Sequence, residues 1–176
     1  MGPCRTRLIP RHAPWRRTKA GWQLSSKTIL LIEDNPSDIA LTRRALEKAR
    51  IVNRLVVAED GLEALDYLFG KGVFSGRDPT DIPVLTLMDL KLPKVSALEL
   101  LRKIRSDAIT RRVPVVILTS SNEEQDIAMG YDLGVNSYIR KPVDFNQFLY
   151  TMEQLTLYWL LLNEPPPKGV GSVANG

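Results

Sequence analysis

The sequence predicts an α/β fold: a five-stranded parallel sheet, doubly wound as (βα)5, with helices on both faces. Three observations carry this. Short apolar runs recur five times, and each is followed by a stretch of helical periodicity. Cap and stop residues punctuate the alternation, with Asn35–Pro36 opening one helix and Gly70 and Gly134 closing two others. Polar, chemically capable residues gather where the apolar runs end, the edge at which open α/β sheets place their ligands.

The elements follow in order. "TILLIED", residues 28–34, is an apolar strand ending in acids. "NPSDIALTRRALEKA" supplies Asn35 as N-cap and Pro36 as first helical residue. "RLVVAED" is a second short strand, and "GLEALDYLFG" spaces Leu62, Leu65, Leu68 and Phe69 along one helical face before Gly70. "VLTLMD", residues 84–89, reads as a strand buried on both faces that nevertheless ends in an acid, Asp89, just before the chain breaks at Pro93. "SALELLRKIRS" is a third helix and "VPVVILTS" a fourth strand. A capping box from Ser121 to Glu124 opens the fourth helix, which closes at Gly134. "VNSYIRKP" is the fifth strand, and "DFNQFLYTMEQLTLYWLLL" a long closing helix.

The 176 residues correspond to one domain, over residues 27–163, between a basic, disordered arm (1–26) and a Pro/Gly-rich tail (164–176). The net charge of +4 conceals an asymmetry. Seven of the 24 basic residues, and no acid, lie in residues 1–27, which leaves 17 basic against 20 acidic residues in the remainder. The pI of about 9.3 therefore describes the arm. No apolar run is long enough to cross a bilayer, and Cys4 is the one cysteine, which fits a reducing cytoplasm.

Strand one ends in Glu33–Asp34, strand three in Asp89, strand four in Thr119–Ser120 and strand five in Lys141–Pro142. Three carboxylates brought together repel one another, and a divalent cation relieves this. Oxygen ligands on loops suit Mg2+, and a lysine is a point charge for phosphate. A carboxylate is also a competent nucleophile toward phosphorus. The constellation is suited to receiving a phosphoryl group. Taken singly, Asp34 reads as a helix cap, Thr119 as a turn residue, Lys141 as a solvated lysine and Tyr138 as core. Their coincidence at the ends of successive strands outweighs those separate readings.

The ordered motifs "LLIEDNPSD", "LMDLKLP", "VILTS" and "SYIRKP" resemble the receiver domain of two-component response regulators, a flavodoxin-like, CheY-like fold, over residues 27–163. "IEDNPSD", "YDLGVNSYIRKPVDFNQF" and "YWLLLNEPPP" resemble the single-domain regulators paired with phytochrome-type histidine kinases. The resemblance implies Asp89 as phosphoacceptor and Mg2+ held by Asp34, Glu33, Asp89 and the Lys91 carbonyl. It implies Thr119 and Lys141 as phosphoryl contacts, Thr119 and Tyr138 as the switch pair, and a cis Lys141–Pro142 bond. It also implies a non-enzymatic protein that promotes its own phosphorylation and dephosphorylation.

Where the family carries Asp-Gly before its third helix, this chain has Ser96–Ala97, and Ala tolerates positive φ poorly, so the loop geometry is expected to differ. Lys91 stands where that subfamily often has Asn. With only a tail after the last helix, output is expected through protein contact or phosphorelay. Phe145, Phe148, Leu149, Met152, Leu155 and Trp159 form the core-facing stripe of that helix. Tyr150, Leu157, Tyr158, Leu160 and Leu161 are apolar off the stripe and, with Trp159, are expected to form a homodimer or partner surface. A flavodoxin-like nucleotide binder would want a Gly/Ser-rich loop in place of "EDNPSD", and a haloacid-dehalogenase-type phosphatase a second Asp at position 91. The alternative of another class is a nucleic-acid binder acting through the basic arm.

Overall fold

A computed structural model describes residues 15–18, 21–24, 28–120, 124–141 and 144–164. The five apolar runs form β1 (Ile29–Ile32), β2 (Leu55–Ala58), β3 (Leu85–Asp89), β4 (Val115–Thr119) and β5 (Ser137–Arg140). They pair in the order β2-β1-β3-β4-β5, all parallel. The helices between and after them are α1 (Pro36–Lys48), α2 (Gly61–Phe69), α3 (Ala97–Ser106), α4 (Glu124–Asp132) and α5 (Phe145–Leu157). This is the expected doubly wound sheet.

Alternation along the strands builds two cores. Leu30, Ile32, Val56, Ala58, Met88, Val115 and Ile117 face one way and pack with Ala64 and Leu68 of α2 and with Leu100, Leu101 and Ile104 of α3. Ile29, Leu31, Leu85, Leu87, Val116 and Leu118 face the other way, against Ala45 and Leu46 of α1 and Phe148, Leu149, Met152 and Leu155 of α5. A strand buried on both faces needs the near-continuous apolar run that the sequence supplies.

Local chemistry sets the helix starts. The Asn35 side chain accepts from the Ser37 amide at 2.9 Å, with Pro36 behind it. Asp60 caps α2 through the Glu63 amide at 2.8 Å, Ser96 caps α3, and Asp144 caps α5 through Gln147. Gly70 ends α2 at φ 62°, a conformation that favours glycine. Ser121, the first residue of the predicted capping box, lies outside the described residues.

Inside the basic arm, Trp15–Thr18 and Gly21–Leu24 pair as an antiparallel ladder. The end of the last helix departs from the uniform α-helix expected. Tyr158–Leu162 is a π-helical turn, closed by the Asn163 amide donating to the Tyr158 carbonyl at 2.8 Å. The wider turn brings Leu160 round with Trp159 against the α1/α5 core, and leaves Tyr158, Leu161 and Leu162 exposed. Among the described residues no helix is long and apolar enough to cross a membrane.

Arg105, near the end of α3, holds the far side of the sheet together. Its Nε donates to the Gly134 carbonyl at 2.9 Å, Nη1 to the carbonyls of Arg111 and Val113 at 3.0 and 2.9 Å, and Nη2 to Asn136 Oδ1 at 3.0 Å. Asn136 Oδ1 also accepts from the Val115 amide at 2.8 Å. One guanidinium thus joins α3, the entry to β4 and the entry to β5. Burial presses its pKa below that of a free guanidinium. Arg105→Ala should cost about 2–4 kcal/mol by urea unfolding, because several acceptors lose their donor at once. Arg105→Lys should recover less than half of that loss, since an ammonium cannot reproduce the fork.

Candidate functional site

The strand order reverses at β1, so the carboxyl ends of β1 and β3 lie side by side at the switch point. Glu33 follows β1 directly and Asp89 is the last residue of β3. Both are buried, at 3% and 8% relative exposure. Each folds back onto an amide two residues on: Asn35 N–H donates to Glu33 Oε1 at 3.2 Å, and Lys91 N–H to Asp89 Oδ2 at 2.7 Å. These turns aim the remaining oxygens inward.

What they meet is Lys141. Its backbone N–H donates to the Thr119 carbonyl at 2.8 Å, continuing the β4–β5 ladder by one residue. Its Nζ lies 2.6 Å from Glu33 Oε2, 2.8 Å from Asp89 Oδ1 and 2.7 Å from Asp38 Oδ2. Three carboxylates share one ammonium, so the cluster carries excess negative charge. Burial raises the Glu33 pKa above its ordinary value, and the Lys141 contacts only partly offset this. Burial works against the charged form of Lys141 as well, but its hydrogen bonds to Asp38, Asp89 and Glu33 together outweigh it and raise its pKa. The lysine stays protonated.

The remaining expected residues fall as follows. Thr119 is buried at the end of β4, beside Arg140 in the ladder. Tyr138 is half-buried against the α2/α3 core. Lys91 presents its side chain to solvent, and Asp34 is exposed and outside the Lys141 cluster. The expected cis Lys141–Pro142 bond involves Pro142, which lies outside the described residues. Asp38 was missed by the sequence reading. An acid in the first turn of a helix is ordinarily explained by the macrodipole, and its partner lies 103 residues further along the chain.

The loop after Asp89 is held down differently from the expectation. Ser96 has φ −63° and caps α3, while Ala97 is buried as the first residue of that helix, so neither adopts positive φ. The left-handed residue is Lys94, at φ 64°. Its Nζ meets Asp60 Oδ2 at 2.5 Å, and Asp60 Oδ1 is the α2 cap. A Cβ on Gly61 would come 2.5 Å from the Val95 carbonyl oxygen, so only glycine permits this approach of loop and helix.

The donor set at the strand ends is all oxygen, and two of its carboxylates already converge on one cationic group. That suits Mg2+, which takes one or two carboxylates and otherwise keeps water. Among the described residues no group of three acid, His or Cys side chains forms a metal site by itself, and the point where Glu33, Asp38 and Asp89 meet is taken by the Lys141 ammonium.

A sheet that gathers acids and a lysine at its switch point is the arrangement on which two-component proteins accept phosphoryl groups. Residues 29–153 match the response regulator receiver domain, and the chain belongs to that family. It is a phosphoacceptor of two-component signalling. It is 40% identical to a probable methanogenesis regulatory protein, FilR2, of Methanothrix harundinacea, over 78% of this chain and 86% of that one. To response regulator Rcp1 of Synechocystis it is 34% identical, over 76% and 89%. Among solved structures, the phosphorylated cyanobacterial phytochrome response regulator RcpA aligns with a TM-score of 0.75 at 37% identity, over 81% of this chain and 99% of that one. The Mn2+-bound form of Rcp1 aligns at 0.73 and 33%, over 80% and 99%. The bacteriophytochrome response regulator AtBRR aligns at 0.64 and 51%, also over 80% and 99%.

The loop latch has a pH signature. Lys94, and then the Glu63 amide, hold the Asp60 carboxyl below its ordinary 3.8. A depressed folded-state pKa contributes stability that is present above the unfolded value and lost as pH falls through the folded one. The stability gap between wild type and Asp60→Asn, in which the cap survives, should be constant down to about pH 5 and shrink below about pH 4. Urea unfolding across that range measures it. The gap should be small, because Lys94 is largely exposed and water screens the pair.

Proposed function

We propose that Asp89 is the phosphoacceptor and that the donor is the phosphohistidine of a phytochrome-type histidine kinase. An Asp89 carboxylate oxygen forms the bond to phosphorus as the donor P–N bond breaks, and the electron pair leaves with the imidazole. Glu33, Asp34, Asp89 and the main-chain carbonyl of Lys91 would hold Mg2+. That ion supplies charge neutralisation for the transferring group. Lys141 and Thr119 contact the phosphoryl oxygens, and Tyr138 follows Thr119 as the switch residue. The domain promotes its own phosphorylation and dephosphorylation in the cytoplasm. The observation that carries the reading is the convergence of buried Glu33 and Asp89 on the Lys141 ammonium. Relatives described as phytochrome or bacteriophytochrome response regulators, one of them phosphorylated, support the partner, and the Mn2+-bound form of response regulator Rcp1 supports the metal. The family match spans residues 29–153 and leaves the basic arm outside it.

Incubation with a small phosphodonor should add one phosphoryl group only when Mg2+ is present. Reductive trapping of the acyl phosphate, followed by peptide mapping, should place it on Asp89, and Asp89→Asn should remain unlabelled. Label on another acid overturns the assignment.

Output is proposed to run through the end of α5, by homodimerisation or by contact with a downstream protein or phosphorelay partner. Tyr150, Leu157, Tyr158, Leu161 and Leu162 are 64%, 42%, 51%, 46% and 69% exposed, a large apolar surface for one helix and its closing turn. Trp159 and Leu160 buttress it from beneath. Light scattering at micromolar concentration should show a dimer, and Leu157→Arg with Leu161→Arg should give a monomer that still accepts phosphate. A wild type that stays monomeric with and without phosphate removes the dimer.

A further inference from the structure

We infer that Asp38 is a positioning residue for the reaction at Asp89, acting through Lys141; the inference rests on the assignment of the phosphoryl site given above. An ammonium has three N–H donors, and those of Lys141 face Glu33, Asp38 and Asp89 at 2.6, 2.7 and 2.8 Å. The tripod is full. To reach a phosphoryl oxygen the lysine must give up a carboxylate.

The three carboxylates are not equivalent. Glu33 and Asp89 are the buried pair assigned to the metal, and Asp89 is also the acceptor. A cation bound there draws on the oxygens that now face Lys141. Phosphorylation turns an anionic Asp89 oxygen into an acyl oxygen, a weaker acceptor for the ammonium. Both events loosen the same two contacts.

Asp38 takes part in neither event. It sits in the first turn of α1, and its side chain is one-third exposed. Its bond to Lys141 is therefore the one that persists while the others are exchanged. It holds the ammonium beside the reacting atoms and draws it partly off the metal ligands. Without Asp38 the lysine would settle wholly on Glu33 and Asp89 and compete with Mg2+. Once displaced, its flexible four-carbon stem would have no carboxylate to hold it, and ordering it costs rotamer entropy.

Two simpler roles make different predictions. As an acid complementing the α1 macrodipole, Asp38 would affect stability and leave metal affinity alone. As a distant negative charge it would favour any cation at the site, whether or not position 141 is a lysine. A double-mutant cycle on Mg2+ affinity separates all three.

Isothermal calorimetry with Mg2+ on the full chain compares wild type, Asp38→Asn, Lys141→Met and the double variant, with thermal melts to confirm folding. Asp38→Asn should weaken Mg2+ binding about fivefold, close to 1 kcal/mol, in the presence of Lys141. Most of that effect should vanish in the Lys141→Met background, and Asp38→Glu should restore wild-type affinity. Asp38→Ser replaces Asp38→Asn if the latter does not fold. An unchanged affinity for the Asp38 variants, or an equal loss in both backgrounds, overturns the inference. A wild type that binds no Mg2+ instead overturns the site assignment on which it rests.

Discussion

A single ammonium among three carboxylates is the constraint on which the rest of this molecule depends. Burial of Glu33 works against its charged form, and the Lys141 contacts offset this only in part. One ammonium faces three carboxylates, which leaves the site short of positive charge. That shortage is what the proposed Mg2+ site draws on. A site already neutral would have little reason to attract a cation, and one without the lysine would be costly to keep folded. The cluster is held between these limits.

Holding it there is the task of the topology. Glu33 and Asp89 come from neighbouring parallel strands, and Lys141 from the end of the edge strand two positions away. Their meeting depends on the β1–β3 and β4–β5 registers. The acids are aimed by their own turns, through the amides of Asn35 and Lys91. The edge strand has fewer neighbours to hold it, and Arg105 compensates by tying its entry to α3 and β4. A residue at the opposite end of the strand thereby helps to set where the ammonium sits. On the other side, the Lys94–Asp60 pair and the tight approach at Gly61 fasten the loop that follows the acceptor.

How much of this the sequence discloses depends on the range of each interaction. The strands and their order of appearance were legible because a doubly buried strand must be apolar throughout, as in "VLTLMD" and "VPVVILTS". The Asn35–Pro36 start and the Gly70 stop were legible because caps act within one turn. Glu33, Asp89 and Lys141 were legible together because parallel strands must end at one edge. Asp38 was not, since nothing local distinguishes it from any acid near a helix start. Ser96–Ala97 signals that the loop departs from the family's geometry, but not that its left-handed residue is Lys94, where a long-range ion pair accompanies a conformation that a lysine seldom adopts. Leu160 was misplaced because a period of 3.6 does not survive a π-turn.

That π-turn has an optical consequence. The chain has three tryptophans, and two of them, Trp15 and Trp22, belong to the arm. The third, Trp159, sits half-buried at the turn, edge-on to the Tyr158 ring at 5.3 Å between centroids. Removing the arm would leave one indole, fixed where the α1/α5 core meets the exposed apolar end of the helix, with a tyrosine close enough to pass excitation to it. Its emission wavelength and quenching report directly on whether that end is bathed in water or covered. The domain thus carries its own fluorophore at the surface where its signal is proposed to leave.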